Sequence, residues 1–186
     1  MKKLLSTVLI AGVAMAGNFY IGGGVDLAGA GKRTYDTDSA TVDFDVNRND
    51  KFALVGYKYS DTGRIEIEYR TITLKNKDNS SDKDTVTSIG VNFITHRKKP
   101  IWRLKPYIKG GLAYVKNDVT YTDISGSTTS ANGLGMFAEL GTYIEITKHV
   151  ELSVGYEVRM DFYEEKKNIS TYDSIRGFNI AAYYHF

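Results

Sequence analysis

Residues 63–71 carry the sequence feature that most restricts the fold of this chain. Their sequence, GRIEIEYRT, places apolar side chains at Ile65, Ile67 and Tyr69. The charged side chains between them are Arg64, Glu66, Glu68 and Arg70. Successive side chains of a β-strand leave opposite faces, so this period of two predicts a strand with one apolar and one charged face. Alternation alone does not say whether the charged face meets bulk water or lines an enclosed interior.

The same strand signal recurs along the chain. Val, Ile, Thr, Tyr and Phe dominate eight segments, and Gly, Asn, Asp and Ser cluster between them. The spacing of apolar residues that is typical of a helix is not sustained after residue 16. The predicted strands cover residues 18–29, 50–60, 64–75, 85–95, 105–121, 133–147, 149–162 and 175–186. We therefore predict an all-β fold.

The connections between the predicted strands alternate in length. Two are tight turns, at 60–63 and 147–149, and a third, at 96–104, is moderately short. The four long, polar connections cover residues 30–49, 75–84, 122–132 and 163–174. Short turns at one end and long loops at the other are typical of outer-membrane barrels. The connections thus predict an eight-stranded antiparallel up-and-down transmembrane β-barrel.

Composition indicates a single enclosed domain and excludes several functions. The chain has 186 residues, enough for one domain with its own interior, and its two prolines mark no linker. The net charge of +2 gives no basic excess for binding nucleic acid. The chain has no cysteine, which rules out disulfides and thiolate metal sites.

The first sixteen residues have the pattern of an export signal. Lys2 and Lys3 precede a short apolar run at 4–13, and Ala14-Met15-Ala16 has the small-residue pattern of a cleavage site. The apolar run is too short for a spanning helix, although an N-terminal anchor helix is the alternative. We predict a signal peptide at 1–16 and a barrel domain at 17–186.

Charged and small residues share the polar side of the predicted strands. Glycine weakens a water-exposed strand, but it has a steric reason in the narrow interior of an eight-stranded barrel. We therefore place the polar side in the lumen, where buried charges need partners. The predicted luminal network comprises Asp26, Lys58, Arg64, Glu66, Glu68, Arg70, Lys109, Glu139, Glu157, Arg159 and Asp161. Packing of the interior is its expected role, and a gated ion path is the alternative.

Aromatic residues cluster near the ends of the predicted strands. Rings at these depths are typical of the aromatic girdles that flank the lipid-facing band of a membrane barrel. The predicted interfacial aromatics are Phe19, Tyr57, Tyr59, Phe93, Trp102 and Phe162. Together with the apolar side of each strand, they predict an outer surface that contacts lipid.

The last nine residues, FNIAAYYHF, resemble the C-terminal signal that outer-membrane barrels present to the barrel-assembly machinery. The residues that carry this resemblance are Phe178, Ile180, Ala182, Tyr184 and Phe186. The stretches GYKYSDTGRIEIEYR (56–70) and ELGTYIEITKHVELSVGYEV (139–158) resemble two hairpins of the OmpA-type transmembrane domain. The chain is similar to that family and to the small OmpX-like, opacity-like surface proteins.

The resemblance implies an eight-stranded barrel with both termini in the periplasm. It also implies that Glu66 is an inward carboxylate of a luminal network. Ser153 stands where the family pattern has an inward arginine, so Arg159 or Lys109 would have to take that place here. The peptidoglycan-binding domain that follows the barrel in full-length members is not expected in this chain.

Enzymatic activity is not expected. Some small outer-membrane barrels are hydrolases or acyltransferases, which need a histidine beside Ser or Asp at the extracellular rim. Here His96 and His149 lie in short turns and His185 is near the C-terminus, so all three belong to the periplasmic end. The acidic loop at 78–84 lacks the glycine and final glutamate of a calcium loop, and we expect no metal and no cofactor.

These observations predict an integral protein of the Gram-negative outer membrane with a structural or surface-exposed role. The expected partners are outer-membrane lipid, lipopolysaccharide, the assembly machinery and an unknown extracellular ligand of the long loops, but not nucleic acid. A small cation-preferring channel is the second hypothesis. A soluble, lipocalin-like periplasmic carrier is the third, and it would need a large apolar cavity.

Overall fold

The computed structural model describes residues 17–37, 40–77, 83–120, 128–166 and 169–186. They form eight strands: β1 Phe19–Thr37, β2 Thr41–Lys58, β3 Gly63–Asn76, β4 Lys83–His96, β5 Leu104–Thr120, β6 Thr128–Glu145, β7 Val150–Lys166 and β8 Ile169–His185. The predicted signal peptide at 1–16 lies outside the described residues. Within these described ranges, no helix is long and apolar enough to cross a membrane.

Each strand pairs with its sequence neighbours, and β1 also pairs with β8, which closes the sheet. All eight pairings are antiparallel. The predicted eight-stranded up-and-down barrel is therefore confirmed. We call the end with residues 17–19 and 185–186 and the three short turns the terminal end, and the opposite end the loop end.

The strands are staggered around the barrel. The pairing row that starts at Tyr20 on β1 passes through one residue of each strand and returns to β1 at Gly31, eleven residues further along (31 − 20). Such a stagger accompanies the strand tilt that closing a sheet requires. It also sets which side chains from distant strands meet at one level of the lumen.

A β-bulge in β1 changes which of its residues face inward. The register shifts between Asp26 and Ala28 against β8, and between Val25 and Gly29 against β2. Leu27 and Ala28 both lie on the exposed side, so inward positions are even-numbered before the bulge and odd-numbered after it. Arg33 consequently points into the barrel, where it is 2% exposed.

The prediction of long loops at 30–49 and 163–174 is wrong. Strands β1 and β2 continue through 30–37 and 41–49, and β7 and β8 cover most of the second segment. On β2 the contrast is present, since Val42, Phe44 and Val46 alternate with Thr41, Asp43 and Asp45. The apolar residues continue the inward face of the strand, where Val46 is 4% exposed, and the sequence reasoning, which placed polar residues inside, overlooked this alternation. The centres of the other two predicted loops, at 78–82 and 121–127, lie outside the described residues.

Buried apolar side chains form one cluster near each end of the lumen. At the terminal end the cluster consists of Tyr20, Phe52, Leu54, Ile94, Tyr107, Tyr143, Ala181 and Tyr183. The cluster toward the loop end contains Ile72, Leu74, Val86, Val115 and Ile175, among others. The sequence reasoning did not predict these apolar plugs. They lie on either side of the central luminal charges.

Candidate functional site

The outer surface of the barrel is apolar on every strand. Ile67, for example, is 62% exposed, whereas its neighbours Glu66 and Glu68 are buried in the lumen. Leu112 on β5 and Leu140 on β6 are likewise exposed, while the residues on either side of each face the lumen. Apolar exposure on this scale marks a surface that contacts something other than water. The strand that opened the sequence analysis therefore has its charges inside and its isoleucines outside.

The predicted interfacial aromatics lie on the outside of the barrel. Phe19 and Tyr57 contact one another across β1 and β2, with ring centroids 4.9 Å apart. Trp102, in the turn after β4, is 94% exposed and has a positive φ of 63°. The remaining members, at positions 59, 93 and 162, are exposed. Their role at the membrane interface stays a prediction.

Arg70 stands at the centre of the luminal charges. Its guanidinium donates to Glu68 at 2.8 Å and to Asp50 and Glu157 at 2.9 Å each. Arg48 donates to the same two residues, at 2.5 Å to Asp50 and 2.7 Å to Glu157. The two carboxylates therefore lie between two arginines, an arrangement that offsets the charge repulsion within each pair.

A second group of luminal charges surrounds Lys109. Its Nζ lies 3.2 Å from Glu66 and 3.0 Å from Glu68. The hydroxyl of Tyr20 donates to Glu66 at 2.9 Å, and Tyr107 donates to Glu139. Sequence reasoning placed Lys109, Glu66, Glu68 and Glu139 on one polar side. The structure adds the two tyrosine hydroxyls that complete the hydrogen bonding.

The other predicted network members differ in their surroundings. Arg159 donates to Asp161 at 2.9 Å, and Asp26 lies 3.1 Å from Arg48. Lys58, at the terminal end of β2, is only half-buried and forms no ion pair within the described residues. The structure thus places ten of the eleven predicted residues in ion-pair or hydrogen-bond contacts inside the barrel.

Arg64 belongs to a separate clasp at the terminal end that was not predicted. It donates to both oxygens of Glu151, at 2.6 and 3.1 Å, and its guanidinium stacks 4.2 Å from the centre of the Tyr143 ring. His185 Nε2 lies 3.2 Å from the same carboxylate. Arg64 and Glu151 are 87 positions apart in the chain.

A third charged group closes the loop end of the lumen. Arg33 donates to both oxygens of Asp173, at 2.7 and 2.8 Å, and also contacts Asp84. Tyr163 donates to Asp173 at 2.8 Å. Sequence reasoning missed this group because it assigned Arg33 and Asp173 to loops. The β1 bulge, which turns Arg33 inward, left no signal that single-sequence alternation could detect.

Inward glycines make room for the large luminal side chains. A Cβ at Gly56 would overlap the ring of Tyr20, and one at Gly155 would overlap the carboxylate of Glu139. A Cβ at Gly135 would overlap the carboxylate of Asp161. These are close approaches that no larger residue permits without movement of its neighbour.

The central luminal layer contains more carboxylates than cations. Its four cations, Arg48, Arg70, Lys109 and Arg159, face seven carboxylates, Asp26, Asp50, Glu66, Glu68, Glu139, Glu157 and Asp161. Several enclosed polar atoms have no hydrogen-bond partner within the described residues, including both oxygens of Asp26. Orphan atoms of this kind are typical places for buried water. The layer therefore has an acidic balance.

The histidines lie at the terminal end, as predicted. His149 Nδ1 is 2.9 Å from the carbonyl oxygen of His185, and the His96 ring meets Tyr143 edge-on. Within the part of the chain that the structure describes, no group of His, Asp and Glu residues could hold a metal ion. Asp84 of the acidic loop is a partner of Arg33 instead, and Asp78 and Asp82 lie outside the described residues.

The terminal strand closes the barrel. Its alternate residues Phe178, Ile180, Ala182 and Tyr184 point outward, and the backbone N–H of Phe186 donates to the carbonyl of Phe19 at 3.2 Å. This contact joins the two ends of the chain at one level. The role of these residues as an assembly signal stays a prediction.

A closed antiparallel barrel with an apolar exterior and buried interior charges defines an integral outer-membrane β-barrel protein. The sequence agrees: residues 4–186 match the family model of the outer membrane protein beta-barrel domain. The chain belongs to this family. Its location is the outer membrane of Gram-negative bacteria, and the soluble carrier considered above is not retained.

The solved structure of Neisserial surface protein A supports the same fold, and that of a second barrel domain is also similar. Neisserial surface protein A is 20% identical, with a TM-score of 0.54, and the match covers 90% of this chain and 97% of that one. The N-terminal β-barrel domain of Pseudomonas aeruginosa OprF is 18% identical, with a TM-score of 0.43 over 87% and 97% of the two chains. No match was found among curated proteins. The comparisons thus show the family and the fold.

Proposed function

We propose that this protein is a surface-exposed outer-membrane barrel whose loop end contacts the environment of the cell. The outward apolar residues described above, such as Ile67, Leu112 and Leu140, form an apolar belt around the barrel. The observation that carries the proposal is the extension of the strands beyond this belt. On β1 and β2 the outward side chains change from Val25 and Val55 to polar residues such as Lys32 and Asp43. A barrel that only spanned lipid would not need paired strands above its lipid-facing surface.

The extension is tied together by polar contacts on its exposed faces. Lys32 lies 3.1 Å from Asp43, and Thr34 donates to the same carboxylate at 2.7 Å. Thr41 donates to Asp36 at 2.8 Å. Such contacts keep a strand pair ordered in water. An extracellular ligand would meet the connections at the loop end, and loops on a rigid scaffold are common binding elements.

The proposal requires that the loop end face the exterior and the terminal end the periplasm. Because the chain has no cysteine, single cysteines report on this orientation directly. We expect Asp45→Cys, on the extension, to react with a membrane-impermeant maleimide in intact cells. The matched control Lys99→Cys, in the turn after β4, should react only after the outer membrane is permeabilised. Labelling of both variants, or of Lys99→Cys alone, in intact cells would overturn the proposal.

The surface role also implies partners that follow from membrane insertion. Lipid contacts the apolar belt, and the barrel-assembly machinery would engage β8 through its outward residues and Phe186. Export through a signal peptide at 1–16 belongs to the same proposal. N-terminal sequencing of the mature protein from the outer membrane tests it, with Gly17 as the expected first residue.

A small cation-preferring channel is the second candidate function. The acidic balance of the central layer and its unpartnered polar atoms favour it, because a water path opened through this layer would attract cations. Between openings, the two apolar clusters and the paired arginines fill the lumen. We therefore expect brief, infrequent, cation-preferring openings in planar bilayers.

Glu68→Ala provides the sharpest test of conduction. Glu68 contacts both Arg70 at 2.8 Å and Lys109 at 3.0 Å, so its loss removes one carboxylate partner from each of these two luminal cations. We expect more frequent openings than in the wild type, whereas the exposed control Asp43→Ala should behave as the wild type does. Large, stable, anion-preferring currents would contradict the channel hypothesis. If neither the wild type nor Glu68→Ala conducts, the channel hypothesis is rejected and the surface role remains.

A further inference from the structure

Two cations face outward on the same flank of the barrel. Lys51 on β2 lies between the inward residues Asp50 and Phe52, and Arg176 on β8 lies between Ile175 and Gly177. Both cations are exposed. They share the outer surface with lipid-facing residues, unlike the buried cations of the luminal network. The strands that carry them are the two neighbours of β1.

Both residues lie near the loop-end border of the apolar belt, and on β8 the exposed ring of Tyr172 lies beyond Arg176. Along β8 the outward residues run from Ile180 and Phe178 to Arg176. Along β2 they run from Val55 and Ala53 to Lys51. On β1 the first polar outward residue beyond the belt is also a cation, Lys32. On each of the neighbouring strands β8, β1 and β2, the first charged outward residue at this border is therefore a cation.

These cations differ in how they are neutralised. Lys32 pairs with Asp43 at 3.1 Å. Lys51 and Arg176 form no ion pair within the described ranges of the chain, and the acidic residues next to them in sequence, such as Asp50 and Asp173, point into the lumen. A cation at the edge of a lipid-facing surface takes its counter-charge from the lipid headgroups.

The outer surface between the two cations is apolar and carries both large and small side chains. Ala30 pairs with Arg176 across β1 and β8, and Val25 pairs with Lys51 across β1 and β2. Ala28, the second outward residue of the bulge, lies between these rows. The two alanines are the smallest side chains of this surface, and the exposed Leu27 and Phe178 stand beside Ala28.

The occupant that fits this flank is the phosphorylated headgroup of lipopolysaccharide. With the terminal end in the periplasm, the border of the belt at Lys51 and Arg176 lies in the outer leaflet. We propose that Lys51 and Arg176 bind the phosphate groups of lipid A, with the sugar above Ala28 and Ala30. This inference rests on the orientation stated under the proposed function, which the cysteine labelling tests independently.

The test measures binding of lipid A to the detergent-solubilised, folded protein by native mass spectrometry in the presence of EDTA. Diphosphorylated lipid A is compared with the same lipid after enzymatic removal of its phosphates. A basic residue near an anionic lipid surface contributes about fivefold in affinity, so the pair should give a preference of about 25-fold for the phosphorylated form. Lys51→Gln/Arg176→Gln should lose this preference.

Arg97→Gln/Lys99→Gln is the matched control, because it removes two exposed cations from the opposite end of the barrel. It should keep the full preference. If the double variant at the flank does not fold, Lys51→Gln and Arg176→Gln alone should each lose about fivefold. Heat-modifiable gel mobility establishes that each variant is folded.

Three results would overturn the inference. The first is equal binding of phosphorylated and dephosphorylated lipid A by the wild type. The second is a preference that survives in folded Lys51→Gln/Arg176→Gln. The third is equal or tighter binding of phosphatidylglycerol or inorganic phosphate, which would show that the flank does not select lipid A. Failure of the cysteine labelling with retained lipid A preference would count against the orientation alone.

Discussion

Replacing Arg70 by methionine removes a fully enclosed cation while nearly conserving its volume. Arg70 is 0% exposed and contacts Glu68, Asp50 and Glu157. Removal of one partner from a buried ion pair typically costs about 3–5 kcal/mol. Here each carboxylate retains another cation, since Glu68 keeps Lys109 and the other two keep Arg48. We therefore expect a loss near the lower limit, about 3 kcal/mol.

The free energy of unfolding can be measured by reversible guanidinium titration of the protein folded in lipid bilayers. The single tryptophan, Trp102, provides a fluorescence signal, and gel mobility gives a second probe. Lys32→Met is the control, because it removes a cation from an exposed pair with Asp43. Exposed pairs contribute about 0–1 kcal/mol, so this variant should be nearly neutral.

A second substitution separates electrostatics from packing. In the Arg70→Met background, Glu68 is a surplus buried anion, so Glu68→Gln should recover part of the lost stability. We expect the double variant to be at least about 1 kcal/mol more stable than the sum of the single effects. If Arg70→Met were as mild as Lys32→Met, or if the two effects simply added, the luminal charges would not act as a coupled network.

Three further predictions follow from the geometry. Ile67→Arg should destabilise the folded barrel by about 2–4 kcal/mol, because the cation enters the lipid-facing surface, and Glu66→Gln should cost less in the same titration. Deletion of Phe186 should slow assembly into the outer membrane, measured as the rate at which the heat-modifiable folded band appears. Gly56→Ala should lower stability by displacing the ring of Tyr20, whereas Gly23→Ala on the outer face of β1 should have a smaller effect.

The fold was predictable because its strongest signal is local. The alternation of Ile65 and Ile67 with Glu66 and Glu68 follows from the two-residue period of one strand, and it needs no knowledge of the neighbouring strands. Inward glycines such as Gly56 gave the direction of the polar face, since a narrow interior is the place where missing side chains are useful. The apolar exterior followed from these two observations, whereas the strand number was predicted from the eight β-rich segments and the topology from the alternating lengths of their connections.

The limits of the strands were not predictable in the same way. On β2 the apolar side changes from the outward to the inward face: Val42, Phe44 and Val46 lie on the inward side, and Asp43 and Asp45 face outward. The sequence reasoning placed polar residues inside, so it assigned residues 41–49 to a loop. Their pairing with β1 keeps them extended. The bulge at Leu27 and Ala28 adds a second difficulty, because one inserted residue reverses the inward parity of everything beyond it. The sequence reasoning missed Arg33 because it lies beyond this bulge, in a segment that was assigned to a loop.

The partners within the lumen depend on the closure of the barrel. Arg64 and Glu151 are 87 residues apart, and Arg33 and Asp173 are 140 apart. Each pair meets because of the stagger that the pairing row from Tyr20 to Gly31 records. Alternation identifies which side chains face inward, but only the stagger determines their level. This is why most members of the network were found from the sequence and the terminal clasp was not.

The layered lumen links stability to the two candidate functions. Apolar clusters on either side of the central charges lower the polarity of their surroundings, which strengthens each ion pair and raises the cost of separating it. In such a barrel the ion pairs of Arg70 and Arg48 keep the lumen blocked. The barrel is also suited to carrying a rigid extension of its strands above the membrane. The same layer has seven carboxylates for four cations, so any rearrangement that admits water favours a cation. The surface role needs only the stable, filled lumen. The channel also needs the surplus of carboxylates. The response to Glu68→Ala is therefore the measurement that separates the two functions.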